Sequence, residues 1–141
     1  LSEALKINMS LKELKLDQCM IGPDGGKALA AALLEGTAVL TNLDLSRNSL
    51  CGIDYYTNQG TYDPSGIQAL ASALAGSAVL PGLNLGGNKI GGEGAQALAD
   101  ALKSGKAVLT KLYAGLNNLG NEGKNVLRDA AEGREGFQLL L

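Results

Sequence analysis

The sequence predicts an α/β fold, a right-handed solenoid forming a horseshoe segment, with parallel strands on its concave face and helices on its convex face. Three observations carry that prediction. The eleven residues from Leu80 to Ile90 place apolar side chains at offsets 0, 3, 5 and 10, with Asn at offset 8. The same frame returns from Leu11, Leu40 and Leu109, so the four starts lie 29, 40 and 29 residues apart. Behind each frame comes a segment whose apolar residues recur three and four apart, the period of one helix face. A strand, a turn and a helix of this length cannot bury their own apolar side, and stacking of copies supplies the missing cover.

In chain order, residues 1–10 read as the end of a helix, because Ala4-Leu5 precedes Leu11 much as Ala73-Leu74 precedes Leu80. No polar cap is visible there. The chain is therefore expected to be a fragment of a longer one, or to have this end covered by another molecule. The first repeat should have its strand around Lys12–Asp17 and its helix around Asp24–Glu35, with Ala28, Leu29, Ala32 and Leu33 facing inward. The second has its strand around Asn42–Ser46. Its helix opens at Asp63-Pro64-Ser65, an N-cap acceptor followed by Pro at the first helical position, and turns Leu70 and Leu74 inward. Between them lies an insertion, residues 51–64, twelve residues longer than the matching turn of the third repeat, and it is the source of the long interval of 40.

The fourth repeat has its strand around Lys111–Gly115 and its helix around Asn121–Ala131. Gly133-Arg134-Glu135-Gly136 then breaks the helix, and Phe137, Leu139 and Leu141 alternate with Gln138 and Leu140. That period of two predicts a fifth strand over residues 137–141 that caps the core. Residues 1–141 should make a single domain.

With the frame Leu-x-x-Leu-x-Leu-x-x-Asn/Cys-x-Leu in four copies, the chain resembles leucine-rich repeat proteins of the ribonuclease-inhibitor-like class. Their repeats run to about 28–29 residues, with a full helix on the outer face. The resemblance implies a non-catalytic module that binds a folded protein on its concave face or rim. Two other roles compete with it. Some members of the class accelerate GTP hydrolysis by a small GTPase through rim side chains, and Arg47 is the only arginine in the concave set. The other is a purely architectural subunit packed into a ciliary or organellar assembly.

Composition narrows the chemistry. Hydrophobic residues make up 45% of the chain, but aromatics only 4% and Trp is absent, so the core must be built from Leu, Ala, Ile and Val. The net charge is −2 with both signs interspersed, which gives no field to draw nucleic acid. No apolar run is long enough to span a membrane. His is absent, which removes the commonest general base and metal ligand. No phosphate-binding loop, nucleophile elbow or metalloprotease motif occurs. Asp54, Asn58 and Asp63 lack the spacing of a calcium loop. No enzyme activity, cofactor or metal is expected. Cys19 and Cys51 are expected to be unpaired, in the cytoplasm or another reducing intracellular compartment.

Three sets of residues compete for function. Asn48, Asn88 and Asn117, with Cys19 in the same place, should turn inward as a structural ladder that bonds the backbone of their own and the next turn. The outward positions of the strands form the second set. They run Glu13, Lys15, Asp17 and Gln18; then Asn42, Asp44, Ser46 and Arg47; then Gly82, Asn84, Gly86 and Gly87; and last Lys111, Tyr113, Gly115 and Leu116. The third row is nearly bare of side chains, a shallow strip beside Tyr113, the aromatic best suited to anchor a protein partner. The third set is the insertion, where Tyr55, Tyr56 and Tyr62 make a rim loop that either binds a partner or folds back over the core.

Overall fold

The computed structural model describes residues 1–35, 39–76 and 80–141. The Leu-x-Leu centre of each frame is a three-residue strand: β1 (Glu13–Lys15), β2 (Asn42–Asp44), β3 (Gly82–Asn84) and β4 (Lys111–Tyr113). These strands end sooner than the alternation predicts. They stop at offset 4, and at offset 7, one residue past the expected ends, the backbone of Gln18, Arg47, Gly87 and Leu116 turns left-handed, with φ of 56°, 52°, 70° and 59°. A fifth strand, β5 (Gln138–Leu140), lies inside the span predicted for it.

All five pair in parallel and in sequence order, β1-β2-β3-β4-β5. The register sets Leu14, Leu43, Leu83, Leu112 and Leu139 in one column. Leu43, Leu83 and Leu112 are buried, whereas Leu14 and Leu139, on the two edge strands, are half-buried.

The helices form the second layer: α1 (Ser2–Ile7), α2 (Pro23–Glu35), α3 (Ser65–Gly76), α4 (Gly91–Lys103) and α5 (Gly120–Ala131). The core between the layers is aliphatic, as composition required, with Leu40, Leu45, Leu50, Ile67, Leu70, Leu80, Leu85, Ile90, Leu98 and Leu109 fully buried. Each such side chain contributes roughly 1.5–3 kcal/mol of burial before conformational entropy is subtracted.

The buried stripe of α2 differs from expectation. Ala30 is buried and Ala28 exposed, because the stripe is displaced toward the side where Gly26 meets Gly66 of α3. A Cβ on Gly66 would lie 2.6 Å from the Leu50 carbonyl oxygen and 2.8 Å from the Pro23 Cα, so the two helices stack at glycine distance. The start signal of α3 is satisfied as read: an Asp63 carboxylate oxygen accepts the Ser65 N–H at 2.9 Å. Among the described residues no helix is long and apolar enough to cross a membrane.

The segment after α5 is held by Arg134, which the sequence presents only as part of a helix break. Its guanidinium donates to the carbonyl of Leu102 at 3.1 Å and to those of Ala107 and Leu109 at 3.0 and 2.8 Å. It also lies 5.0 Å from the centre of the Phe137 ring. One cation thus satisfies carbonyls at and beyond the C-terminal end of α4 and seats Phe137 against the core.

Candidate functional site

Asn48, Asn88 and Asn117 are each at most 2% exposed, and a buried amide must find partners. The Asn48 amide nitrogen donates to Leu45 O at 2.9 Å and Leu16 O at 2.8 Å, while its oxygen accepts from the N–H groups of Cys19 and Ile21 at 3.0 and 2.9 Å. Asn88 donates to Leu85 O and Leu45 O and accepts from Leu50 N–H. Asn117 donates to Ala114 O and Leu85 O and accepts from Asn88 N–H at 2.6 Å and Ile90 N–H at 3.4 Å. Each amide therefore ties its own turn to the preceding one, not to the next.

That direction explains the outlier. Cys19, at the same place in the first repeat, is exposed, because no described strand lies before it to cover that turn. Its thiol retains one local contact, to Asp17 O at 3.4 Å. Cys51 is also unpaired but buried, and burial, with the Asp63 and Glu93 carboxylates behind it, pushes its thiol up to about 12.

The outward face of the sheet carries a groove of about 400 Å³ that runs across all five strands. Lys15, Asp44, Asn84, Lys111 and Tyr113 line it together with Glu13, Asn42 and Leu140. Asp17 and Arg47 lie outside it, two and three residues past Lys15 and Asp44 in their own repeats, both exposed. The left-handed backbone of Arg47 is shared by the residue at its place in every repeat, so it belongs to the turn and is not a mark of a strained site.

Within the groove, Asp44 is already engaged. One carboxylate oxygen accepts from Ser46 N–H at 2.9 Å and the other from the Asn84 amide at 3.1 Å. Asn84 in turn accepts from Gly86 N–H at 3.0 Å.

The strip expected to be bare is occupied. The Tyr113 ring lies directly on Gly86, so closely that a Cβ there would collide with it. A Cβ on Gly87 would meet the Tyr55 ring at 2.8 Å, and Gly82 is overlaid by the Asn42 side chain. Gly86 and Gly87 are sockets for rings and Gly82 for an amide, not an open channel. The sequence does carry a signal for this: side chains vanish at offsets 6 and 7 in the one repeat that lies between the Tyr-rich insertion and Tyr113.

The insertion folds down over this rim as a short turn closed by an antiparallel bridge between Ile53 and Gly60. The Asp54 carboxylate holds it, accepting from Thr57 N–H at 2.7 Å, the Thr57 hydroxyl at 2.8 Å and Tyr56 N–H at 3.1 Å. Those Thr57 bonds keep the carboxyl below its ordinary value. Tyr55 packs edge-on against Tyr56 at 5.0 Å, with Lys89 Nζ 5.6 Å from the Tyr55 ring centre. The Tyr56 hydroxyl donates to Gln18 Oε1 at 2.6 Å, and that of Tyr62 to Ile90 O at 2.6 Å. Tyr55 and Tyr62 thus lie back over the third repeat, while Tyr56 remains 62% exposed.

A family model described as a leucine-rich repeat matches residues 8–30 and 83–99. The two segments hold β1 with the first half of α2, and the last two residues of β3 with the first two thirds of α4. A comparison with curated proteins found no match.

Proposed function

The chain is a leucine-rich repeat protein, and we propose that it recognises a folded protein partner through the outward face of its sheet and the exposed lip of its insertion. Leucine-rich repeat domains generally serve as scaffolds for protein–protein interaction without chemistry of their own. The observation that supports the finer reading is the groove, which gathers Lys15, Asp44, Asn84, Lys111 and Tyr113 from four strands onto one surface. Tyr113, seated on Gly86, is the anchor, since a pre-positioned aromatic loses little freedom on binding. Asp17 and Arg47 extend the surface along the turns, and Tyr56 adds an aromatic edge at the rim. Tyr55 and Tyr62 act by holding Tyr56 in place.

The test is photo-cross-linking in a lysate of the source organism, with benzoylphenylalanine replacing Tyr113 on the strand face or Ser72 on the exposed helix face. The expected result is a discrete protein adduct from position 113 and none from position 72, with recovery lost in Tyr56→Ala. An adduct from the helix face alone would reverse the assignment of the face.

A further inference from the structure

Resting on that reading, we infer that the β3–β5 half of the groove takes an extended acidic–apolar segment of the protein partner. In that segment a carboxylate meets Lys111, and a bulky apolar side chain two residues away covers Tyr113 and Leu140.

Charge is the first argument. The outward positions of β1 and β2 carry Glu13, Lys15 and Asp44, both signs side by side, with Lys15 and Asp44 opposite each other in register. Asp44 is further occupied by Ser46 and Asn84. The outward positions of β3, β4 and β5 are Gly82, Asn84, Lys111, Tyr113, Gln138 and Leu140, and Lys111 is their one charge. Lys111 is exposed and makes no ion pair among the described residues. A partner's sign is selected where a single uncompensated charge stands, and here that charge is positive.

Apolar surface is the second argument. Leu140 stands opposite Tyr113 in register and is 44% exposed, beside a ring fixed from below by Gly86. The pair offers a wall and an edge to one large side chain.

Spacing is the third. Lys111 and Tyr113 project from one face of one strand, two residues and about 6.6 Å apart. An extended ligand repeats its side chains at the same interval, so its residues i and i+2 fall on the two sites in step.

The test titrates the ¹⁵N-labelled full chain with capped peptides Thr-Asp-Thr-Phe-Thr, Thr-Lys-Thr-Phe-Thr and Thr-Asp-Thr-Ser-Thr. The Asp–Phe peptide should shift the amides of Lys111, Tyr113 and Leu140 saturably. The Lys-for-Asp peptide should bind about tenfold more weakly, as repulsion replaces attraction at an exposed pair. The Ser-for-Phe peptide should lose binding by a similar factor, and Lys111→Glu should invert the order of the two Phe peptides. Equal binding of acidic and basic peptides, or shifts confined to β1 and β2, or no saturable shift at all, would overturn the inference. The cross-link at position 113 reports on the face separately. An adduct there, with no charge preference among the peptides, keeps the face and removes the acidic–apolar ligand.

Discussion

Asn88 and Asn117 hold the same place in successive repeats, yet their loss should not cost the same. Each amide reaches back one turn, so the carbonyls of Leu45 and Leu85 are shared between two asparagines and keep one donor if the other is removed. The N–H groups are not shared. Truncating Asn88 strands Leu50 N–H, whereas truncating Asn117 strands Asn88 N–H, Ile90 N–H and the unshared Ala114 carbonyl. At about 1–3 kcal/mol per stranded buried group, Asn117→Ala should destabilise roughly two to three times as much as Asn88→Ala in urea unfolding. Equal costs would mean that the additional groups find other partners. The cysteines differ as sharply. A disulfide-exchange reagent at about pH 8 should release one equivalent from the native chain, from exposed Cys19, since the thiolate is the reacting species. Cys51, buried and pushed up to about 12, should react only on unfolding. Two fast equivalents would place Cys51 at the surface. The inward turn of the asparagines was legible from residue type and spacing alone. The direction of their bonds was not, because it depends on which neighbour's backbone the turn approaches, and the frame is the same seen from either side.

Among the elements, the insertion has its tip closed by one carboxylate. Asp54 closes it through bonds to Thr57 and Tyr56, and those bonds hold its pKa below the ordinary 3.8. A depressed carboxyl contributes its order fully above 3.8 and loses it as pH falls through the lower folded value. The amide signals of Tyr56 and Thr57 should therefore move together in one step with a midpoint below 3.8, and Asp54→Asn should abolish the step. A midpoint at or above that value would show that the loop does not depend on the carboxylate. Strands and helices were readable at this scale, because period, Pro64 and the glycine breaks are local signals. The seating of Tyr55 on Gly87 was not, since the two lie 32 residues apart and meet only once the register of β2 on β3 is set. Arg134 was hidden for the same reason: its three acceptors lie between 25 and 32 residues upstream, and nothing in Gly-Arg-Glu-Gly points to them.

For the molecule as a whole, the stack makes one core out of units that touch only their neighbours, so position along the axis should decide local stability. The fold offers a clean way to read this. The same backbone bond recurs in each repeat at nearly the same length: Leu16 N–H to Asp44 O at 2.8 Å, Leu45 N–H to Asn84 O at 2.9 Å, Leu85 N–H to Tyr113 O at 2.8 Å and Ala114 N–H to Leu140 O at 2.8 Å. What differs is the cover. Leu45, Leu85 and Ala114 are fully buried, whereas Leu16 is half-buried in a turn whose rung is Cys19 in place of Asn, beside exposed Leu11 and Met20. Amide hydrogen exchange should accordingly be slowest at Leu45 and Leu85, faster at Ala114, which has only β5 beyond it, and fastest at Leu16. If Leu16 instead exchanged as slowly as Leu85, the repeats would open only together, and burial at each level would not set its stability. The graded result has a consequence for recognition. Lys111 and Tyr113 flank buried Leu112 on β4, whereas Leu140 stands on edge strand β5, so a partner docking there meets Lys111 and Tyr113 already in place and spends ordering energy mainly at Leu140.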